Sequence, residues 1–146
     1  METISPEQVR AEVQKYWNAF SSKSKEKFAG MFEPGAIVFV ADTRRNEPAR
    51  LMVERRAREY FVPQASPKTE LREIEVQMAG PEVAIATYGY RFYGTRVING
   101  VLYDVDMSFG RATQIFHRDE TGQLRIVHEH LSSATAALPR KRDETA

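Results

Sequence analysis

Between Thr69 and Ser132 the sequence reads as strands, alternating apolar and polar residues over 69–79 and nearly so over 122–132, and no other feature limits the fold as much. Successive side chains on a strand point to opposite faces, so such a run reads as strands with one face buried. Three turn signals divide it: Gly80-Pro81, the hairpin-type dipeptide Asn99-Gly100, and "RDETGQ" at 118–123. The pieces are "TELREIEVQMA" (69–79), "EVAIATYGYRFYGT" (82–95), "VLYDVDMSFGRATQIFHR" (101–118) and "GQLRIVHEHLS" (122–132). Gly110, inside the third, predicts a bulge or a sharp bend. A sheet of this kind has one apolar face that something else must cover.

The cover comes from the first sixty residues. Ser5-Pro6-Glu7-Gln8 is a helix start with the elements of a capping box. Val9, Val13, Tyr16, Trp17 and Phe20 then follow on one helical stripe. A second helix, "KEKFAGMF", is expected from a Ser24 cap to a stop at Glu33-Pro34-Gly35. "AIVFVA" (36–41) reads as a strand and "RLM" (50–52) as strand-like. A third helix over about 53–61 would present Val53, Ala57, Tyr60 and Phe61, with Pro63 and Pro67 beyond its end. Helices followed by long antiparallel strands predict an α+β fold, with helices closing the concave face of a strongly curved sheet. Such a cone has a mouth, and therefore a pocket.

A single domain over 1–135 with a polar, disordered tail over 136–146 suits a chain of 146 residues. The net charge of +1 gives no broad footprint for nucleic acid, and "ERRARE" (54–59) reads as a solvated helix face. With no cysteine, disulfides and thiolate chemistry are excluded. No apolar run approaches the roughly 20 residues that span a bilayer, and "METISPEQVR" lacks a signal-peptide core, so a cytoplasmic location is expected.

The segments "FEPGAIVFV", "VERRAREYF", "EVQMAGPEVAIATYGYR" and "RATQIFHRDETGQLRIVHEHLS" carry a resemblance. The chain resembles the nuclear transport factor 2-like superfamily, which includes ketosteroid isomerase, scytalone dehydratase and SnoaL-like polyketide cyclases. It is most similar to the association (hub) domain of calcium/calmodulin-dependent protein kinase II and its stand-alone bacterial relatives. No glycine-rich ATP loop is present, so the resemblance implies no kinase activity.

That resemblance implies a pocket lined by arginines. One of them corresponds to Arg91; two others fall at Gln114 and Leu131. Alternation from these positions brings Gly89 and Tyr93, Ala112 and Phe116, and Glu129 and Val127 inward, and turns Tyr90 and Phe92 away. Arg91 and Glu129 then either pair with each other, the favoured reading, or leave Glu129 as a carboxyl of raised pKa able to move protons. Trp17, Tyr16, Tyr60 and Tyr93 are candidate walls of the ligand site. His128 and His130 take the opposite parity to Glu129, as Thr113 does to Gln114. They are expected on the convex face, in a homodimer interface.

A zinc site on "HEH" would need His117 as a further ligand and is not expected. Asp104 and Asp106 cannot be given a face, because Gly110 can shift the alternation. The early strand ends at Asp42 with apolar residues before it, so the isomerase's acidic base is not reproduced. The functional expectation is a holder of a small, partly apolar organic molecule, without cofactor or metal. As an enzyme it would be a cofactor-free isomerase, dehydratase or cyclase, with Glu129 as proton carrier and Arg91 steadying negative charge. The alternative is a non-catalytic ligand-binding or oligomerisation module.

Overall fold

The computed structural model describes residues 3–41, 43–133 and 140–141. Three helices, α1 (Pro6–Ser21), α2 (Lys25–Ala29) and α3 (Ala49–Tyr60), accompany seven strands. The strands are β1 (Phe32–Phe39), β2 (Glu47–Pro48), β3 (Ser66–Gly80), β4 (Val83–Ile98), β5 (Val101–Arg118), β6 (Leu124–Ser132) and β7 (Arg140–Lys141). They form one curved, unclosed sheet in the order β2-β1-β6-β5-β4-β3, with β7 beside β5. Of these pairings, β1 with β6 is parallel and the others are antiparallel. The expected α+β architecture is therefore the observed one. Of the expected tail over 136–146, Arg140 and Lys141 form β7 and the rest lies outside the described residues, as does Asp42.

Local chemistry sets the first helix. The Ser5 hydroxyl accepts from the Gln8 N–H, and the Ser5 N–H donates to the Gln8 side chain, which completes the capping box. Val9, Val13, Tyr16, Trp17 and Phe20 are all buried against the sheet. Trp17 stacks on Tyr90 with centroids 5.2 Å apart, and Phe20 meets Tyr60 and Phe92 at 5.2 and 5.9 Å. An aromatic layer thus joins α1 to β4. The Lys23 ammonium donates to the carbonyls of Val62 and Ala65, tying the α1–α2 turn to the chain leaving α3.

Two boundaries depart from the sequence reading. The "RLM" segment is helical, because α3 begins at Ala49 directly after Pro48, a residue suited to the edge of a helix start. β1 begins at Phe32 and runs through Glu33-Pro34-Gly35, with Gly35 at φ 82°. Paired to β6 in parallel, this stretch bulges between Phe32 and Ile37 instead of only stopping a helix.

The bend predicted at Gly110 is present. Tyr90 pairs with Gly110 but Phe92 pairs with Met107, so β5 carries an extra residue beside Gly110. A Cβ on Gly110 would lie 2.6 Å from the Ser132 carbonyl oxygen and 2.8 Å from the Tyr90 ring. Close approach of backbone and aromatic ring, not torsional freedom, is why glycine stands there.

Candidate functional site

The covered face of the sheet can be read row by row. Ala86 of β4, Gln114 of β5, Glu129 of β6 and Val38 of β1 are register partners in turn, and all four are fully buried. The next row holds Tyr88, Ala112 and Leu131, and it too is buried. A polar chain crosses these rows. The Trp17 indole N–H donates to the Tyr88 hydroxyl at 2.8 Å, which donates to Gln114 Oε1 at 2.7 Å. Gln114 Nε2 then donates to Glu129 Oε1 at 2.7 Å. The other carboxyl oxygen, Glu129 Oε2, is buried with no partner at ideal hydrogen-bond geometry, and the Tyr16 hydroxyl stands beside the carboxyl.

Burial raises the Glu129 pKa above the ordinary carboxyl value. Opposing pulls come from the adjoining Tyr16 hydroxyl, then Gln114, then the charge of Arg56 on α3. Burial and the Glu129 charge hold the Tyr16 and Tyr88 hydroxyls well above the usual tyrosine value, so both stay protonated. A buried carboxyl is costly unless donors meet it, and Gln114 and the Tyr16 hydroxyl are the donors at hand. The arrangement can hold a proton, give it up, or bind a ligand atom.

Several expected site residues meet here: Glu129, Gln114, Trp17, Tyr16 and Leu131 all face the covered side. Tyr60 is buried nearby, packed on Phe92, with its hydroxyl accepting from Arg96 at 3.3 Å. Arg91 and Tyr93 do not join them, which corrects the sequence reading. On β4 the inward residues are Ala84, Ala86, Tyr88, Tyr90 and Phe92, the opposite parity to that implied by the family resemblance. Arg91 instead makes a two-pronged pair with Asp106 at 3.0 Å on the outer face and lies 4.2 Å over the Tyr93 ring. Arg91 therefore cannot pair with Glu129. Asp104 and Asp106, unassigned from sequence, are both exposed.

Val127 is corrected as well. Phe116 pairs with Ile126 but Ile115 pairs with His128, so Val127 is the extra residue of a β-bulge. Ile126 and Glu129 point inward, while Val127 and His128 are half-buried.

Two participants were missed. Tyr88 was not singled out, although its alternation with Ala84, Ala86 and Tyr90 marks one apolar face. Arg56 was assigned to a solvated helix face, yet it is buried beneath the Tyr60 ring. The signal was present: Arg56 shares the helical stripe of Met52, Val53 and Tyr60 at steps of three and four.

The outer face carries the histidines. Thr113 and His130 are partners there, as are Ile115 and His128, and Phe39 lies 5.5 Å from the His130 ring. His117 instead meets Glu33 at 3.0 Å. Among the described residues no group of three or more His, Cys, Asp or Glu is placed to hold a metal ion. A groove of about 600 Å³ also opens on this face, lined by Arg72, Glu75, Thr87, Phe109, Arg111 and Thr113 among others. Among the described residues no helix is long and apolar enough to cross a membrane.

No family model and no curated protein matches the sequence. Solved structures do match the fold. A nuclear transport factor 2 (NTF2-like) superfamily protein from Salmonella enterica serovar Typhimurium superposes with a TM-score of 0.69 at 16% identity, covering 90% of this chain and 93% of that one. The CamKII hub homology domain of Chlamydamonas reinhardtii gives a TM-score of 0.69 at 20% identity, covering 90% and 100%. A protein with a cystatin-like fold from Caulobacter vibrioides gives 0.67 at 21%, covering 88% of each chain.

Proposed function

We propose that this chain, whose fold is that of NTF2-like proteins, binds a small, partly apolar organic molecule between its helices and its sheet and moves a proton on it. The observation that carries the reading is the Glu129 carboxyl: fully buried, raised in pKa, fixed through Oε1 by Gln114 and flanked by the Tyr16 hydroxyl. A carboxyl of this kind is suited to general acid–base work, since its pKa moves toward the working pH. Trp17, Tyr16, Tyr60 and Leu131 supply apolar walls. Arg56, whose charge reaches Tyr16, Tyr60 and Glu129, takes the part first expected of Arg91. The reaction class is cofactor-free isomerisation, dehydration or cyclisation.

The test is a thermal-shift screen of cyclic ketones and polyketide-like compounds, followed by turnover assays on the hits. Glu129→Gln should retain binding and lose turnover by about two orders of magnitude or more, the usual worth of a positioned acid or base. Arg91→Ala should change neither. Hits that persist in Glu129→Leu with unchanged affinity would place the ligand elsewhere and overturn the reading.

A second reading, assembly, is favoured by the outer face. Exposed Ile37 and Phe39 flank His128 and His130, and Ile85 and Ile115 continue the row across β4 and β5. We propose that two copies pack through this face, with Thr113, His128 and His130 in the interface, and that the protein is cytoplasmic. Thr113→Arg should then halve the mass measured by light scattering and leave the fold intact by circular dichroism. An unchanged mass would rule this interface out.

A further inference from the structure

The groove on the outer face is built around a missing side chain. Arg72 of β3, Gly89 of β4 and Arg111 of β5 are register partners in turn, so two arginines flank a bare strip of backbone. Neighbouring strands lie about 4.8 Å apart, which sets the two arginine stems roughly 10 Å from each other across Gly89. Nothing in the backbone requires glycine there. Gly89 is not at positive φ, and a Cβ on it would meet Arg72 Cβ and the Phe109 ring at 3.7 Å, an ordinary contact. Glycine in the middle of a strand weakens it, and marks a place where something approaches closely.

Two irregularities of the sheet border the same spot. β3 carries an extra residue between Arg72 and Glu75, with Glu73 at φ 53°, a conformation that residues other than glycine seldom adopt. That extra residue lets Arg72 and Glu75, three positions apart, both face outward. On the other side, the extra residue beside Gly110 brings Phe109 to the row, and Arg72 Cζ lies 3.5 Å from the Phe109 ring centroid. Stacking fixes the guanidinium plane, whose N–H edge is the part that forks an oxyanion. Among the described residues neither Arg72 nor Arg111 makes an ion pair. The next outward row adds the hydroxyls of Thr87 and Thr113, with Glu75 as the partner of Thr87.

We propose that this groove binds a small hydroxylated phosphate monoester, its phosphate held over Gly89 between Arg72 and Arg111 and its hydroxyls reaching Glu75. One guanidinium fork is enough for the two oxygens of a carboxylate. Two forks converging from opposite sides suit a tetrahedral group with three terminal oxygens. Glu73 and Glu75, which also line the groove, accept hydrogen bonds as carboxylates, so the ligand's far end carries donors and no second negative charge. A volume of about 600 Å³ is more than a phosphate fills and is ordinary for a small-molecule site. The site is independent of the interior around Glu129, and of these residues only Thr113 is shared with the proposed interface between copies.

Glucose 6-phosphate, inorganic phosphate and gluconate are titrated into the protein while the backbone amide resonances of Thr87, Gly89 and Thr113 are followed. Glucose 6-phosphate should bind about tenfold or more tighter than gluconate, and tighter than inorganic phosphate. Arg72→Lys and Arg111→Lys keep the charge but lose the fork, and each should weaken the sugar phosphate about tenfold. Gly89→Val fills the strip and should abolish binding, while circular dichroism and the mass by light scattering stay those of the parent. Lysine variants that bind like the parent would reduce the site to unspecific attraction of charge and overturn the proposal. So would tighter binding of gluconate, equal binding of inorganic phosphate, or undiminished affinity in Gly89→Val. Three amide resonances unmoved by glucose 6-phosphate would overturn it outright.

Discussion

Gln114→Leu should destabilise the protein by about 2–5 kcal/mol, although the side chains are close in size. The substitution deletes the acceptor of the Tyr88 hydroxyl and the donor to Glu129 Oε1 together. Each buried group left without a partner costs about 1–3 kcal/mol, and more where charge is involved. Glu129 would then keep only the adjoining Tyr16 hydroxyl as a partner. Urea denaturation of the single variant, and of Gln114→Leu combined with Glu129→Leu, separates the two losses. The double variant should recover part of the stability, because an apolar pair has nothing left to satisfy at Glu129. A single variant as stable as the parent would mean that the chain of hydrogen bonds is not formed in solution.

Gly94→Ala should cost about 3–5 kcal/mol, at the upper end of what one methyl group can do. Two effects add. Gly94 sits at φ 108°, where an L-residue is strained. A Cβ there would also run into the Ser66 carbonyl oxygen of the neighbouring strand, a backbone atom held in register by the Pro67–Gly94 and Ser66–Thr95 pairings. Neither conflict is relieved by rotating a side chain. The midpoint of thermal unfolding should fall by roughly 6–20 °C, since each kcal/mol is worth about 2–4 °C at this size. A shift within 2 °C would show that β3 and β4 separate at this point.

Much of this architecture was legible because it rests on side-chain chemistry. Ser5, Pro6 and Gln8 announce α1, and the stripe from Val9 to Phe20 states which side of it is buried. Asn99-Gly100 fixes the β4–β5 turn, with both residues at positive φ. On β6 the error has its cause in the backbone. A bulge adds a residue without any distinctive side chain, so strict alternation drawn from one end of β6 gives Glu129 the right face and Val127 the wrong one. On β4 the local pattern was sound: Ala84, Ala86, Tyr88, Tyr90 and Phe92 form a consistent buried set. Arg91 was misplaced because a position carried over from a resemblance was preferred to that pattern. Arg56 was missed for a different reason. Charge was taken as a sign of exposure, whereas a long guanidinium stem can pack under an aromatic ring when an acid waits nearby.

The extra residue at Val127 decides more than the shape of β6. Counted regularly from Ile126, every second position would have delivered His128 and His130 to the interior and sent Glu129 to the solvent. One unpaired backbone unit exchanges imidazole for carboxyl at the centre of the molecule without altering a single letter of "HEH". Chains of this shape can therefore trade one proton-carrying chemistry for another by gaining or losing a bulge, a change that a comparison of side chains alone would pass over.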